Sequence, residues 1–279
     1  YQLPPYTVLG FKQNGQFINQ NNGVTYIRAD HLVGGVEWNS ANNNKVSVEG
    51  FLKDYSNYPF SINDSISLAN VGADFGTIGD EGVTSTSTGR AYGVEFLFQQ
   101  KLFKGFYGIA AYTLSWSEFS GKDGTTLISS SWDNRHLISL TAGKKFGKNW
   151  ELGARFLFNS GAPYTPYDAA TSALIPVWDV NGGGVRDRNA LNTERLDPYY
   201  TLDMRLDKKW FFDKWNLNVF FDVQNLTGNA VEFQPDLLLV RDEMGQGVVN
   251  PEDPSRYLLK ELSNNSALVQ PSIGIITEF

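Results

Sequence analysis

The rhythm of its connections constrains this chain more than any other feature. Period-two alternation of apolar and polar side chains marks nine β-strands, at 30–38, 45–54, 90–100, 106–117, 136–146, 150–159, 199–209, 215–225 and 272–279. The gaps between them hold roughly 6, 35, 5, 18, 3, 39, 5 and 46 residues, alternately short and long to the end. A compact soluble domain rarely carries even one structureless loop beyond about 15 residues. Four such loops on one side, opposite four tight turns, describe an all-β, antiparallel transmembrane β-barrel.

The alternation says which solvent each face meets. Leu152, Ala154, Phe156 and Phe158 oppose Glu151, Gly153, Arg155 and Asn159; Leu202, Met204 and Leu206 oppose Thr201, Asp203, Arg205 and Asp207. Leu217, Val219, Phe221 and Val223 oppose Asn218, Asp222 and Gln224, and Val46, Val48 and Leu52 oppose Lys45, Ser47, Glu49 and Lys53. Phe51, Leu97, Tyr107, Ile109 and Phe220 place bulk on the polar face. A lumen filled by another protein element accepts them more readily than an open channel does. A soluble sandwich also alternates, so tryptophan placement decides. Trp38, Trp150, Trp210 and Trp215 flank short turns, Trp116 and Trp132 flank long loops, and only Trp178 falls in mid-loop. Indole rings favour the headgroup zone, so this distribution reads as two aromatic girdles; a sandwich core would hold tryptophan near strand centres.

Composition narrows the function classes. With 23 basic against 30 acidic residues the net charge is −7, and no basic stripe is available to neutralise nucleic-acid phosphates. The 279 residues include no cysteine, which removes disulfides, thiolate metal sites and thiol nucleophiles. Mean hydropathy is −0.30 and no apolar run suits a transmembrane helix, but barrel strands need only about 10 residues with every second one apolar. The start, Tyr-Gln-Leu-Pro-Pro, has no initiator Met and no signal-like region, so the chain is read as a fragment of a longer precursor. Nine is an odd number of crossings, and unpaired edges in hydrocarbon cost several kcal/mol per polar group, so nine strands do not close stably alone. With a periplasmic C-terminus, residues 1–29 form an extracellular loop region that follows a strand not in this chain.

Several segments, in order and at their spacings, resemble the C-terminal barrel region of a TonB-dependent outer-membrane receptor. They are Ala91-Tyr-Gly-Val-Glu95, Ala111-Tyr-Thr-Leu-Ser115, Asp133-Asn-Arg-His136, Ser160-Gly-Ala-Pro-Tyr-Thr165, Asn192-Thr-Glu-Arg-Leu196, Leu202-Asp203, Asp222-Val-Gln-Asn-Leu226 and Pro271-Ser-Ile-Gly274. The last strand ends on Phe279, which resembles the aromatic membrane-insertion signal of such proteins. The resemblance implies a barrel of 22 strands around a plug, of which this chain, 1–279, supplies the last nine. It also implies a Gram-negative outer membrane, surrounding lipid, a small or oligomeric nutrient (siderophore, cobalamin, glycan or similar), and a TonB complex reached through an N-terminal part outside this chain. Substrate there binds external loops and the plug apex, which makes loops 55–89, 160–198 and 226–271 the expected ligand-facing parts.

Candidate site residues follow from this frame. Tyr164, Tyr167 and Trp178, in the loop between the sixth and seventh strands, are candidates for stacking a ligand. Glu37, Glu49, Lys53, Glu95, Arg155, Asp203, Arg205, Asp207 and Asp222 form an interior polar ladder. Of these, Arg155 and Arg205 are the leading plug contacts, beside Asp203 and Asp222. Asp179, Asn181 and Asp187 have the spacing of a calcium loop's first, third and ninth ligands, though Gly183 and Ala190 stand where two more ligands belong. The two histidines, His31 and His136, accompany no nucleophile motif, so no catalytic residue is expected. Three other readings remain at this point: a plugless porin or adhesin barrel, a soluble carbohydrate-binding β-protein, and an outer-membrane hydrolase.

Overall fold

The computed structural model describes residues 1–40, 44–71 and 80–279. Part of the first short turn (41–43) and part of loop 55–89 (72–79) therefore lie outside the described residues. One ten-stranded sheet holds nine main strands, β1 (Arg28–Asn39), β2 (Asn44–Ser61), β3 (Val83–Phe103), β4 (Phe106–Ser120), β5 (His136–Phe146), β6 (Trp150–Asn159), β7 (Tyr199–Phe211), β8 (Asn216–Gln224) and β9 (Gln270–Glu278), and a short tenth, Leu127–Ser129, that pairs with the end of β4. Each main strand pairs antiparallel with the next, and β1 and β9 are the two open edges.

Two expectations need correction. Both ends of the 55–89 stretch are strand, since β2 runs on to Ser61 and β3 begins at Val83. Val83-Thr-Ser-Thr-Ser-Thr88 has high β-propensity, but neither of its faces meets lipid, so no apolar alternation marks it. Nor are the longest loops structureless. Loop 160–198 contains the helix Ile175–Asn181 and a two-residue ladder, Pro163–Tyr164 with Glu194–Arg195. Loop 226–271 is largely the hairpin Val231–Leu239 with Leu259–Ser266.

Register turns the alternation into continuous rows. One runs Trp38, Val46, Phe98, Ala110, Leu140, Phe156, Leu202 across seven strands. It starts beside the short turn of β1 and ends near the long-loop end of β7, which is the stagger of tilted barrel strands. Aromatic side chains bracket the apolar face: Phe106 and Trp116 on β4, and Tyr200 and Trp210 on β7, each pair ten residues apart. At about 3.3 Å per residue and a tilt of about 40°, ten residues rise roughly 25 Å, the height of a barrel's lipid band. This face is open to solvent, with Val36, Phe96, Phe98, Leu140, Leu152, Phe221, Ile273 and Ile275 all exposed.

On the other face, two of the bulky exceptions have a structural reason. The Tyr107 ring lies across Gly143, its register partner, and the Phe220 ring lies across Gly274 in the same way; a Cβ at either glycine would overlap the ring. Each pair fills the space of a missing side chain with an aromatic from the next strand.

Apart from Thr201 and Asp207 on the inner face of β7, most buried residues sit elsewhere. They cluster where strands give way to long loops, and many are small and polar: Ser61, Ser67, Ser87, Ser120, Ser130, Asn70, Asp133 and Asn192. A small apolar group, Val8, Leu68 and Val83, fastens residues 1–27 to the loop between β2 and β3. Asn19 helps, donating to the Val8 and Glu81 carbonyls and accepting from Val83 N–H.

Candidate functional site

Two regions could act: the polar inner wall and the layer of long loops above it. On the wall, Arg155 on β6 faces Asp203 on β7, and Arg205 faces Asp222 on β8. All four line one shallow hollow of about 370 Å³ with Tyr107 and Thr141. They are not equivalent. Arg205 donates twice to Asp207, at 2.9 Å each, and its guanidinium stacks 3.7 Å above the Phe220 ring. Asp203 accepts from the Asn225 amide at 2.8 Å. Arg155 is exposed on the wall and, among the described residues, has no hydrogen bond or ion pair.

The arginines share a role that Arg155 does not. The other nine are each engaged by a carboxylate or a backbone carbonyl. Several of them staple loops together. The Asp133 carboxylate, shut off from solvent, accepts from Arg135 Nε at 2.9 Å, Arg195 Nη2 at 2.5 Å and the Ser117 amide at 2.9 Å. Asn192 donates to the Asn70 and Ser129 carbonyls, and its amide donates to Thr165 Oγ1. Ser160 and His136 bond reciprocally, and Gly161 lies so close to the Leu196 carbonyl that no Cβ fits. Arg188 reaches Asp64 at 2.8 Å, and Lys122 reaches Asn189 at 3.0 Å. Loop 160–198 thus crosses the mouths of the strands before it.

Three segments singled out in the sequence, 133–136, 160–165 and 192–196, therefore form a single clasp. Leu202-Asp203 and 222–226 form a second, in which Leu226 N–H donates to the Leu202 carbonyl. Their pairing was not visible along the chain because the partners lie far apart in sequence.

The ligand-stacking candidates are not gathered on one open surface. Trp178 is buried in its helix at 8% exposure, the Arg186 guanidinium stacks 3.7 Å over Tyr167, and Tyr164 stands in the ladder with Glu194. Burial raises the Tyr164 phenol above its ordinary pKa, with help from Glu194. The calcium candidates also separate. Asp179 and Asn181 fall in the last turn of Ile175–Asn181, where residues two apart point to different sides. Asp179 accepts from Tyr257 Oη at 3.2 Å, and Asp187 accepts from the Asn189 amide. Among the described residues no three His, Cys, Asp or Glu side chains converge on a metal-sized site. His136 lies on the lipid-side face beside Tyr112 Oη, whereas His31 lies on the inner face opposite Lys53. Phe279 follows β9 and is fully exposed.

With this geometry in hand, the comparisons are direct. The family model for the TonB dependent receptor-like β-barrel matches residues 1–226. The chain belongs to that family. Solved structures agree on the fold. The ferric-catecholate import receptor Fiu from K12 E. coli is 13% identical at a TM-score of 0.53, over 96% of this chain and 30% of its own. The ferripyoverdine receptor of the outer membrane of Pseudomonas aeruginosa is 15% identical at 0.51, over 74% and 24%. The ferric citrate transporter FecA is 14% identical at 0.51, over 90% and 31%. The chain thus spans about a third or less of each of these receptors. No curated protein matches it. For a TonB-dependent receptor barrel, the short turns face the periplasm and the long loops the exterior, so both clasps stand at the extracellular rim.

Proposed function

We propose that this chain is the wall and external rim of an outer-membrane receptor for TonB-energised uptake of a scarce nutrient in a Gram-negative bacterium. The observation that carries the reading is the pair of unlike faces: unbroken apolar rows about 25 Å tall on one side, a charged ladder on the other. The lumen is then occupied by a plug, and Arg155 is its best anchor because the wall supplies that guanidinium with no partner. The chain performs no covalent chemistry in this scheme. Residues 1–29 and the loops at 160–198 and 226–271 form the vestibule, with Tyr164 and Tyr167 on the ligand's path. Trp178 and the calcium ligands would join only if the loop reopened.

Ferric chelates are the first substrates to try, a choice supported by neighbours named for ferric catecholate, ferripyoverdine and ferric citrate. The test offers radiolabelled ferric chelates, cobalamin and oligosaccharides to cells carrying the full-length receptor, with and without a functional TonB. One of them should accumulate only where TonB is present. Equal accumulation in both strains would mean a passive porin, and accumulation in neither would mean an adhesin; either result sinks the proposal.

A further inference from the structure

The lysines are distributed quite differently from the arginines. Eight of the thirteen lysines, and none of the ten arginines, lie in or beside the three short turns after β3, β5 and β7. Lys101 and Lys104 mark the first turn, Lys144, Lys145 and Lys148 the second, and Lys208, Lys209 and Lys214 the third. In a chain of net charge −7 this end is locally positive. Among the described residues only Lys209 of the eight forms an ion pair, a loose one with Glu151 at 3.6 Å. Arginine is used here where a fork of donors ties loops together. Lysine, a compact and strongly hydrated charge, is at these three turns left without an ion pair at every position but Lys209.

Two of these lysines lie on the lipid face itself. Lys144 Nζ sits 3.3 Å over the Phe106 ring, and Lys208 Nζ lies 5.3 Å from both Trp150 and Trp210. They flank β6 on either side, Lys208 on β7 opposite Trp150 and Lys144 on β5 opposite Leu152, one same-face step along. The Lys208 ammonium also donates to the Lys148 carbonyl, which turns it toward the turn and away from hydrocarbon. Stems along aromatic rings with heads at the band's edge are the arrangement of side chains that reach for the headgroup layer.

We infer that Lys144 and Lys208, with the aromatic platform of Phe106, Trp150 and Trp210, form a docking site for the headgroup of an anionic phospholipid in the leaflet at the short-turn side. The charge is complementary to a phosphate diester, the height matches the end of the lipid band, and the cations are not consumed within the chain. The site rests on the membrane reading above but not on TonB, plug or substrate.

The test uses the full-length receptor purified in detergent with equal amounts of phosphatidylglycerol and phosphatidylethanolamine, and native mass spectrometry to count retained lipids. The wild type should retain phosphatidylglycerol preferentially. Each of Lys144→Gln and Lys208→Gln should lower that preference roughly five-fold, while Lys122→Gln and Lys260→Gln in the long loops leave it unchanged. No preference in the wild type, or equal loss in the loop variants, overturns the site. So does displacement of the lipid by inorganic phosphate alone. A receptor that transports its nutrient yet shows no lipid preference defeats this inference only; a protein monodisperse without detergent defeats the membrane reading itself.

Discussion

The wall and the loop layer of this protein reverse each other's solvent logic. In the wall, large apolar side chains point outward and the side chains that keep company with protein are charged. In the loop layer, the buried positions are mainly serine, asparagine and Asp133, held by hydrogen bonds. The wall relies on lipid for the burial a soluble protein finds in its core. The loops, in water on one side, have only small apolar groups such as Val8, Leu68 and Val83 and are fixed largely by directional bonds. A wall defined by pattern tolerates exchange of one apolar residue for another. A clasp defined by single donors and acceptors does not, since a buried group left unpaired costs its full desolvation.

The sharpest way to break this contrast is to put charge on each face of the wall. Leu206 lies near the middle of the lipid band, so Leu206→Arg should destabilise the full-length barrel by about 3 kcal/mol. Ser47→Lys, on the inner face opposite Glu37, should cost less than about 1 kcal/mol. Equal effects in urea-dependent folding into vesicles would mean the two faces are not distinct.

In the loop layer the largest effect belongs to Asp133→Ala. Removing one partner of a buried ion pair costs about 3–5 kcal/mol. Both arginines are 35% exposed, so the expected cost is lower, about 2–3 kcal/mol. The loss should open loop 160–198 to protease while the barrel keeps its heat-modifiable migration. Gly161→Ala, which forces a Cβ into the Leu196 carbonyl, should open the same loop. Barrel unfolding in either variant would mean the clasp supports the wall as well as the rim.

This division also explains what was legible in the sequence. All nine strands were, because lipid on one face imposes strict alternation. Residues 83–89 were not, because after Val83 this stretch carries only serine, threonine and glycine and so no hydropathy alternation. The calcium spacing at 179–187 overlaps a second pattern, since Asp179 and Asn181 also fit the end of a helix. Pro176 in its first turn and Gly182 just past its end, at φ 67°, are the ordinary punctuation of one, and that signal was available. The clasps were half legible. Five of the eight segments that mark the family hold the rim and the other three lie in wall strands, so they reveal the scaffold and say little about what it binds.

Arg155 tests whether the inner wall is complete by itself. Arg155→Ala should lower plug stability to denaturant by about 1.5 kcal/mol in the full-length receptor, the scale of one hydrogen bond to a charged group. Arg205→Ala should act mainly on the wall, because Asp207 already holds that guanidinium. If the two variants weaken the plug equally, Arg155 is no special anchor.

The smallest effect concerns a single turn. Asp123 accepts from Thr126 Oγ1 and from the Thr125 and Thr126 amides. These bonds hold its carboxyl at about 2, below the ordinary 3.8, with the Thr126 hydroxyl the largest cause. A depressed folded value means the turn's stabilisation is fully present above 3.8 and is lost as pH falls through about 2. Amide exchange of residues 121–127, corrected for intrinsic rates, should therefore stay protected at pH 3 and rise only near pH 2. Loss of protection already at pH 4 would show that the bonds to Asp123 do not persist in solution.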